Sequence, residues 1–244
     1  MNPRLALLTA GRVLRQLRAD PRSVALILVL PTLLLALMYY IYEGNQPLFT
    51  RIAPVMAVVF PMALMFIITS VTMQRERSTG SLERLWTTRL HRADLILGYA
   101  AAFALMAVLQ SVILVLVLHY ALGVSNQSPW WLTTLLAAIT GVTGVALGLF
   151  SSAFARTEFQ AVQFMPVLII PQILLCGLLA PREELPAVLR WVSDVLPLSY
   201  AVDAILTAAA QGLDQPVITD IAICLIFGAA FLCLAVTTLP RRTR

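Results

Sequence analysis

Six long apolar stretches dominate this 244-residue sequence and limit what it can fold into. Each has roughly the 20 mostly apolar residues that an α-helix needs to cross the hydrocarbon core of a bilayer. Only 12% of the residues are charged, against about 25% in an average soluble domain. We therefore predict an all-α integral membrane protein, a single domain over residues 1–244 with six transmembrane helices. The predicted spans lie approximately at 23–42, 52–73, 95–122, 130–155, 161–179 and 217–239.

The distribution of arginine predicts how these helices cross the membrane, because cytoplasmic loops keep positive charge and translocated loops lose it. With both termini in the cytoplasm, only Arg51, Arg182 and Arg190 of the 17 arginines lie outside. The composition, rich in arginine, alanine and leucine, is typical of GC-rich bacterial genomes. We expect a multi-pass protein of a bacterial inner (plasma) membrane. The formal net charge of +5 then reflects topology and lipid contact, and we expect no nucleic-acid partner.

Residues 1–22 are too basic to span a membrane, but they fit an amphipathic helix. Five arginines fall on one arc of a helical wheel, and most apolar side chains lie opposite. The pattern predicts an interfacial helix on the inner leaflet that ends at the Asp20–Pro21 step. A solvated basic tail is the alternative. The five arginines are Arg4, Arg12, Arg15, Arg18 and Arg22.

Residues 180–212, between spans five and six, are also too charged to span. Apolar residues recur there at helical spacing, and Pro181, Pro186 and Pro197 interrupt them. We expect one or two outer re-entrant helices, which are tolerated at membrane depth where they pack against protein or line a wet cavity.

The residue types present disfavour enzymatic chemistry in this chain. All 17 basic residues are arginine, so neither a P-loop lysine nor a Schiff-base lysine exists. The three cysteines lie in predicted spans without metal-site spacing, and His91 and His119 are predicted near opposite faces. We expect no catalytic residue, no metal site and no cofactor. If ATP drives this protein, another chain must bind it.

Titratable groups are also expected to be absent from the middle of the membrane, which disfavours a proton-coupled carrier. Asp94 and Glu158 are predicted at the inner ends of spans. A charged ring or a carbonyl filter, as in selective ion channels, is not legible either. The carboxylates predicted on the outer side are Glu43, Glu183, Glu184, Asp194, Asp203 and Asp214.

The segment 74–92, QRERSTGSLERLWTTRLHR, concentrates charge between spans two and three. Gly80 and Ser81 predict the start of a short helix that carries Leu82, Leu85 and Trp86 on one face. Such a helix can rest on lipid or sit in a groove of a cytoplasmic partner. The glutamates among the arginines favour a specific protein surface, but the residues alone leave both uses open.

The stretch from Arg75 to Phe103, RERSTGSLERLWTTRLHRADLILGYAAAF, resembles the loop between the second and third spans of ABC-2-type exporter permeases. Arg89 stands where that family often has proline. LPLSYAVDAI, 196–205, is similar to the family's segment before the last span, and the resemblance extends over essentially the whole chain. The matching positions in the loop are Arg75, Glu76, Gly80, Ser81, Leu82, Glu83, Leu85, Thr88 and Gly98.

The resemblance implies a half-sized permease that pairs with a second permease chain, as a homodimer or a heterodimer. It also implies two copies of a separate cytoplasmic ATP-binding subunit, which bind the ATP and Mg. The loop 74–92 would then receive the movement of that subunit. The residues predicted to couple to it are Arg75, Glu76, Gly80, Leu82, Glu83, Leu85 and Trp86.

The function that follows is ATP-driven export of an amphipathic or hydrophobic substrate, such as a drug, an antibiotic or a lipid-like molecule. Export of a polysaccharide or lipid-linked glycan is the runner-up, and a non-transport role in membrane assembly or immunity is the other alternative. Kink-forming prolines and neutral glutamines in span five mark a possible substrate path. Its predicted residues are Gln163, Pro166, Pro171 and Gln172.

Overall fold

Six helices are long and apolar enough to cross a membrane in the computed structural model, which describes residues 3–79, 91–124 and 127–238. Their positions confirm the predicted six-helix membrane architecture. The described residues contain helices and connecting segments and no β-strand. The elements are α1 (Pro3–Ala19), α2 (Pro21–Ile41), α3 (Gln46–Ser78), α4 (Arg92–Leu116) with a π-turn (Val117–Ala121), α5 (Trp130–Ser152), α6 (Glu158–Leu168), α7 (Ile170–Leu175), a 3₁₀ turn (Arg182–Glu184), α8 (Ala187–Asp194), α9 (Pro197–Gln211) and α10 (Gln215–Thr238).

The boundary between α1 and α2 lies at the predicted Asp20–Pro21 step. The Asp20 carboxylate accepts hydrogen bonds from the backbone N–H of Ser23 at 3.3 Å and from its hydroxyl at 2.6 Å. These bonds stabilise the ionised carboxylate, so the pKa of Asp20 is lowered. Proline at the first helical position loses no hydrogen bond and already has helical φ. Local residues therefore fix where α2 begins.

The second span is longer than predicted, because α3 continues to Ser78 instead of ending near Met73. Glutamine, arginine and glutamate are good helix formers, so the polar residues 74–77 prolong the helix. As a result, Arg75 and Glu76 lie on the last turns of a spanning helix.

The fifth span is divided into α6 and α7 at Ile169. Pro171 has no backbone N–H, and its ring crowds the carbonyl four residues earlier, which favours a break in the helix at this point. The broken helix ends at Leu175, short of the predicted residue 179.

The centre of the bundle is the packing of α3 against α5. A Cβ added at Gly144 would lie 2.9 Å from the Met62 Cα, and one added at Gly148 would lie 2.6 Å from the Phe66 carbonyl oxygen. Glycine thus lets the two backbones approach closely, which is how helices associate where lipid gives no hydrophobic driving force. By contrast, α2, α6–α7 and α10 are largely exposed around this core.

The bundle has two chemically different ends. One carries α1, the end of α3, the start of α4 and the turn at 153–157, and we call it the arginine-rich end. The opposite end carries residues 42–45, 122–124, 127–129 and 176–214. There α8 and α9 meet at an angle of 91°, in the segment predicted to be re-entrant. Its depth in the membrane stays a prediction.

Candidate functional site

Helix α1 lies directly on α4 at the arginine-rich end. A Cβ at Gly98 would lie 2.6 Å from the Thr9 Cβ and 2.8 Å from the Ala6 carbonyl oxygen, so only glycine permits this contact. Ala10, Val13 and Leu17 complete the buried face of α1. Gly98 is one of the motif positions matched in the sequence analysis, and this close contact explains why glycine is needed there.

A buried polar cluster joins α1, α3 and α4 next to this contact. Arg12 of α1 donates from Nη1 to Glu76 Oε1 at 3.4 Å and from Nη2 to the Tyr99 hydroxyl at 2.7 Å. Gln16 Nε2 also donates to Glu76 Oε1, at 3.4 Å. Only 8% of Glu76 and none of Tyr99 is exposed. A carboxylate so buried is stable only with such partners, so the cluster fixes the end of α3 against α1.

The helical wheel groups Arg12 with the other four arginines of residues 1–22, but the structure gives it a different environment. Its guanidinium lies 5.7 Å from the centre of the Tyr99 ring and is ion-paired with Glu76. The difference arises because Glu76 and Tyr99 come from distant parts of the chain and a helical wheel of α1 does not include them.

Arg75 connects the end of α3 to the fifth span. It forms a two-pronged contact with Glu158 at the start of α6, Nε to Oε1 and Nη2 to Oε2, each at 3.0 Å. Both side chains are exposed, and an exposed ion pair of this kind contributes at most about 1 kcal/mol. The pair therefore orients α6 more than it stabilises the fold.

Arg77 connects α3 to α5. Its Nη1 donates to the backbone carbonyls of Ser152 and Ala155 at the end of α5. Carbonyls in the last turn of a helix lack partners within the helix, and a cation there satisfies them. Three consecutive residues, Arg75, Glu76 and Arg77, thus contact three different neighbours of α3.

A cavity of about 310 Å³ opens beside the cluster, between α1, α2, α3 and α4. Its walls combine apolar side chains with polar groups that include Glu76. The residues that line it are Val13, Gln16, Leu17, Asp20, Ser23, Ile68, Thr72, Arg75, Glu76, Thr79 and Phe103.

The sequence was compared with the profiles of known protein families. The profile of the ABC-2 type transporter family matches residues 4–209, which is well over half of the chain. The chain belongs to the ABC-2 type transporter family. This membership confirms the resemblance carried by the 74–92 loop.

Several named relatives of this ABC-2 type chain are permeases or ABC transporters. It is 25% identical over 179 residues to the probable multidrug ABC transporter permease YbhS of Escherichia coli K12, covering 73% of this chain and 47% of YbhS. It is 27% identical over 141 residues to the linearmycin resistance permease protein LnrN of Bacillus subtilis, covering 58% and 36%. Against ABC transporter G family member 20 of Dictyostelium discoideum, identity is 28% over 160 residues, covering 66% and 22%. The matched region spans less than half the length of each of these relatives.

The predicted coupling residues divide into two groups in this ABC-2 type fold. Arg75 and Glu76 lie on α3 with the contacts given above. The other five, Gly80, Leu82, Glu83, Leu85 and Trp86, lie outside the described residues. Thr79 and His91 border that segment, and α4 begins at Arg92 with Asp94 Oδ2 accepting a hydrogen bond from the His91 N–H at 3.3 Å. The role of all seven residues stays a prediction.

The four residues of the predicted substrate path do not share one environment. Gln163, Pro166 and Pro171 are exposed on the side of the bundle. Gln172 is buried and donates to the Leu168 carbonyl oxygen at 2.8 Å. Only the three exposed residues lie where a second chain could reach them.

Sequence reasoning missed several residues that the structure brings into the site. Arg12, Gln16 and Tyr99 were not assigned to coupling, although Tyr99 follows Gly98 directly in the matched motif. Outside this cluster, at the opposite end of the bundle, Asp220 in the second turn of α10 was missing from the predicted carboxylates. Its signal was an acidic residue inside an apolar stretch, which is rare without a function. Among the described residues, no group of three or more His, Cys, Asp and Glu could hold a metal ion.

Proposed function

We propose that this chain is the membrane-spanning subunit of an ATP-driven bacterial exporter. We further propose that the buried cluster of Arg12, Gln16, Glu76 and Tyr99 passes the movement of a separate ATP-binding subunit into the bundle. The observation that carries the proposal is the Glu76 carboxylate. It links α3 to α1 within the predicted coupling loop 74–92.

Orientation supports this proposal. The arginine-rich end would face the cytoplasm, because arginine is depleted from translocated loops. Both termini and the coupling segment would lie there, within reach of a cytoplasmic partner. Exposed Leu7 and Leu8 on α1 would then contact the inner leaflet, which is how an interfacial helix binds.

Helix α3 is suited to carry a displacement across the membrane. It has 33 residues, and at about 1.5 Å per residue it is long enough to cross the whole bilayer. A push on its arginine-rich end would act on α1 through Glu76, on α6 through Arg75 and on α5 through Arg77. Because packed helices move as rigid bodies, these contacts would turn a local push into a rearrangement of the bundle.

The partners would be two copies of the ATP-binding subunit, which supply the ATP and Mg sites, and a second permease chain. The exposed apolar faces of α2, α6–α7 and α10 are available for that chain and for lipid. Residues Gln163, Pro166 and Pro171 on the fifth span would face the path between the two permease chains.

The cargo would be amphipathic or hydrophobic, such as a drug, an antibiotic or a lipid-like molecule. One relative is named a probable multidrug permease, and another is named a linearmycin resistance permease. The spanning helices also present few charged side chains to a passing molecule. Export of a polysaccharide or lipid-linked glycan is the second candidate.

The test is to purify the chain gently from its own membranes and to weigh the intact complex by mass spectrometry. We expect a stoichiometric P-loop protein in two copies, and the number of permease copies distinguishes a homodimer from a heterodimer. Reconstituted in vesicles, the complex should accumulate a fluorescent cationic amphiphile only when ATP is added. A complex without an ATPase in several mild detergents would refute the exporter and favour an assembly or immunity role.

A further inference from the structure

Within residues 3–79, 91–124 and 127–238, three arginines lie away from the arginine-rich end, and they converge on one cavity. Arg51 comes from α3, Arg182 from the 3₁₀ turn and Arg190 from α8. Together they line a cavity of about 510 Å³ at the opposite end of the bundle. Translocated segments normally contain few arginines. Three arginines around a single cavity therefore suggest that the cavity binds something that needs them.

Only one of these arginines has its charge neutralised by the fold. Arg182 pairs with Asp194 and Asp203 and lies over the Tyr200 ring, 5.3 Å from its centre, so it holds α8 and α9 together. Among the described residues, Arg190 donates only to the backbone carbonyls of Arg182 and Glu183. Carbonyl oxygens satisfy its N–H groups but do not cancel its charge.

Arg51 has no hydrogen bond or ion pair within the part of the chain that the structure describes, and its side chain is exposed. Helix folding does not require a cation at this position. A planar guanidinium with free N–H donors can bind a phosphate or carboxylate through two parallel hydrogen bonds.

The cavity also has acidic walls, since Glu183, Asp194 and Asp203 line it with the three arginines. Its formal charge is therefore zero, three positive against three negative. A simple anion or a simple cation would meet like charges as well as opposite ones. A head group with an acidic group and an ammonium side by side can satisfy both signs at once.

An apolar cavity of about 390 Å³ adjoins this charged one, and the two share Arg51 and Leu206 as wall residues. Pro47, Thr50, Ala209 and Ala210 line the rest of it. A charged compartment that continues into an apolar one matches a molecule with a polar head and a hydrocarbon tail.

We infer that the two cavities form one binding site for an amphiphile with a zwitterionic head group. Its acidic group faces Arg51, its ammonium faces the carboxylates, and its apolar part lies along Pro47, Ala209 and Ala210. A membrane phospholipid with an ethanolamine head group has this chemistry, and so would an exported amphiphile of the same class. The site does not depend on the transport function proposed above.

Soluble short-chain lipids test the inference on the purified complex. We expect dihexanoylphosphatidylethanolamine to bind at one molecule per chain, about fivefold or more tighter than the matching phosphatidylglycerol or phosphatidylcholine. Phosphatidylglycerol lacks the ammonium, and the trimethylammonium of phosphatidylcholine has no N–H to donate to a carboxylate. Titration calorimetry or mass spectrometry of the intact complex measures the three affinities.

Two variants and a control assign the head-group contacts. Arg51→Gln should weaken phosphatidylethanolamine binding about fivefold or more, since a charge-assisted contact is lost. Glu183→Gln should instead reduce the preference for phosphatidylethanolamine over phosphatidylglycerol. Neither side chain has a hydrogen bond that the described fold needs. Arg22 is an exposed arginine at the start of α2, and Arg22→Gln should leave the affinities for all three lipids unchanged.

A second experiment distinguishes a membrane lipid from an exported amphiphile as the natural ligand. A lipid ligand should remain at one phosphatidylethanolamine per chain when the complex is extracted from its membrane in polymer nanodiscs, and Arg51→Gln should lose it. If the natural ligand is instead an exported amphiphile, no phosphatidylethanolamine should be retained in the nanodiscs. The variants should still have the same effects on binding of the short-chain probe. Equal binding of all three lipids, or an Arg51→Gln variant that behaves like Arg22→Gln, would overturn the inference.

Discussion

At the scale of single residues, the central feature is a buried carboxylate held by two donors from another helix. Glu76 accepts from both Arg12 and Gln16, and Arg12 also reaches Tyr99. Hydrogen bonds to charged groups contribute more than neutral ones, about 1.5–3 kcal/mol each. The stability of the arginine-rich end therefore depends on both partners being present.

A double-mutant cycle tests this dependence. Arg12→Gln and Glu76→Gln should each lower the midpoint of thermal unfolding, because each leaves a partly buried charge without its partner. The double variant should be more stable than the sum of the two losses predicts, by a coupling free energy of about 0.5–3 kcal/mol. Strictly additive losses would show that the two side chains do not interact.

Gly98→Ala tests the contact between α1 and α4. The new methyl group would overlap Thr9 and the Ala6 carbonyl, so α1 must shift. We expect a loss of about 1–3 kcal/mol, the usual cost of overpacking. Gly11→Ala is the matched control: its Cβ meets nothing within 4 Å, and alanine in a helix interior gains up to about 1 kcal/mol over glycine. Similar melting curves for the two variants would contradict this packing.

At the scale of helices, length and composition were enough to predict the six spans, because a bilayer accepts few other solutions for such stretches. They were not enough to predict that α3 continues to Ser78, since polar residues can prolong a helix as well as end it. The ion pair between Arg12 and Glu76 joins residues 64 apart in sequence, and no local pattern reports such a contact. Periodicity places Arg12 on a helix but does not say what it faces.

Gly144→Ala tests the central contact between α3 and α5. An added methyl group would press on the backbone at Met62, which cannot move aside as a flexible side chain could. We expect a clear drop in the unfolding midpoint and in the yield of folded protein. Gly228→Ala in α10 should be tolerated, because its nearest neighbour is Thr143 Oγ1 at an ordinary 3.4 Å. Equal losses for the two would mean that α3 and α5 are less closely packed.

At the scale of the whole molecule, the proposed coupling role requires that the arginine-rich end faces the cytoplasm. Cysteine labelling in intact cells measures this directly. In a background with Cys233 replaced, Glu43→Cys should react with a membrane-impermeant maleimide added from outside, and Arg156→Cys should react only after the cells are broken. The opposite pattern would place the arginine-rich end outside and would remove the basis of the coupling proposal.

The most direct measurement of the central claim is the amount of substrate transported per ATP hydrolysed by the reconstituted complex with Glu76→Gln. This change keeps the side-chain shape and removes the charge that ties α3 to α1. We predict that ATP turnover stays within about twofold, while transport falls about fivefold or more because the rearrangement no longer reaches α1. Glu43→Gln, an exposed glutamate at the other end, serves as the control. An unchanged ratio in a folded Glu76→Gln complex would contradict the coupling role of this cluster.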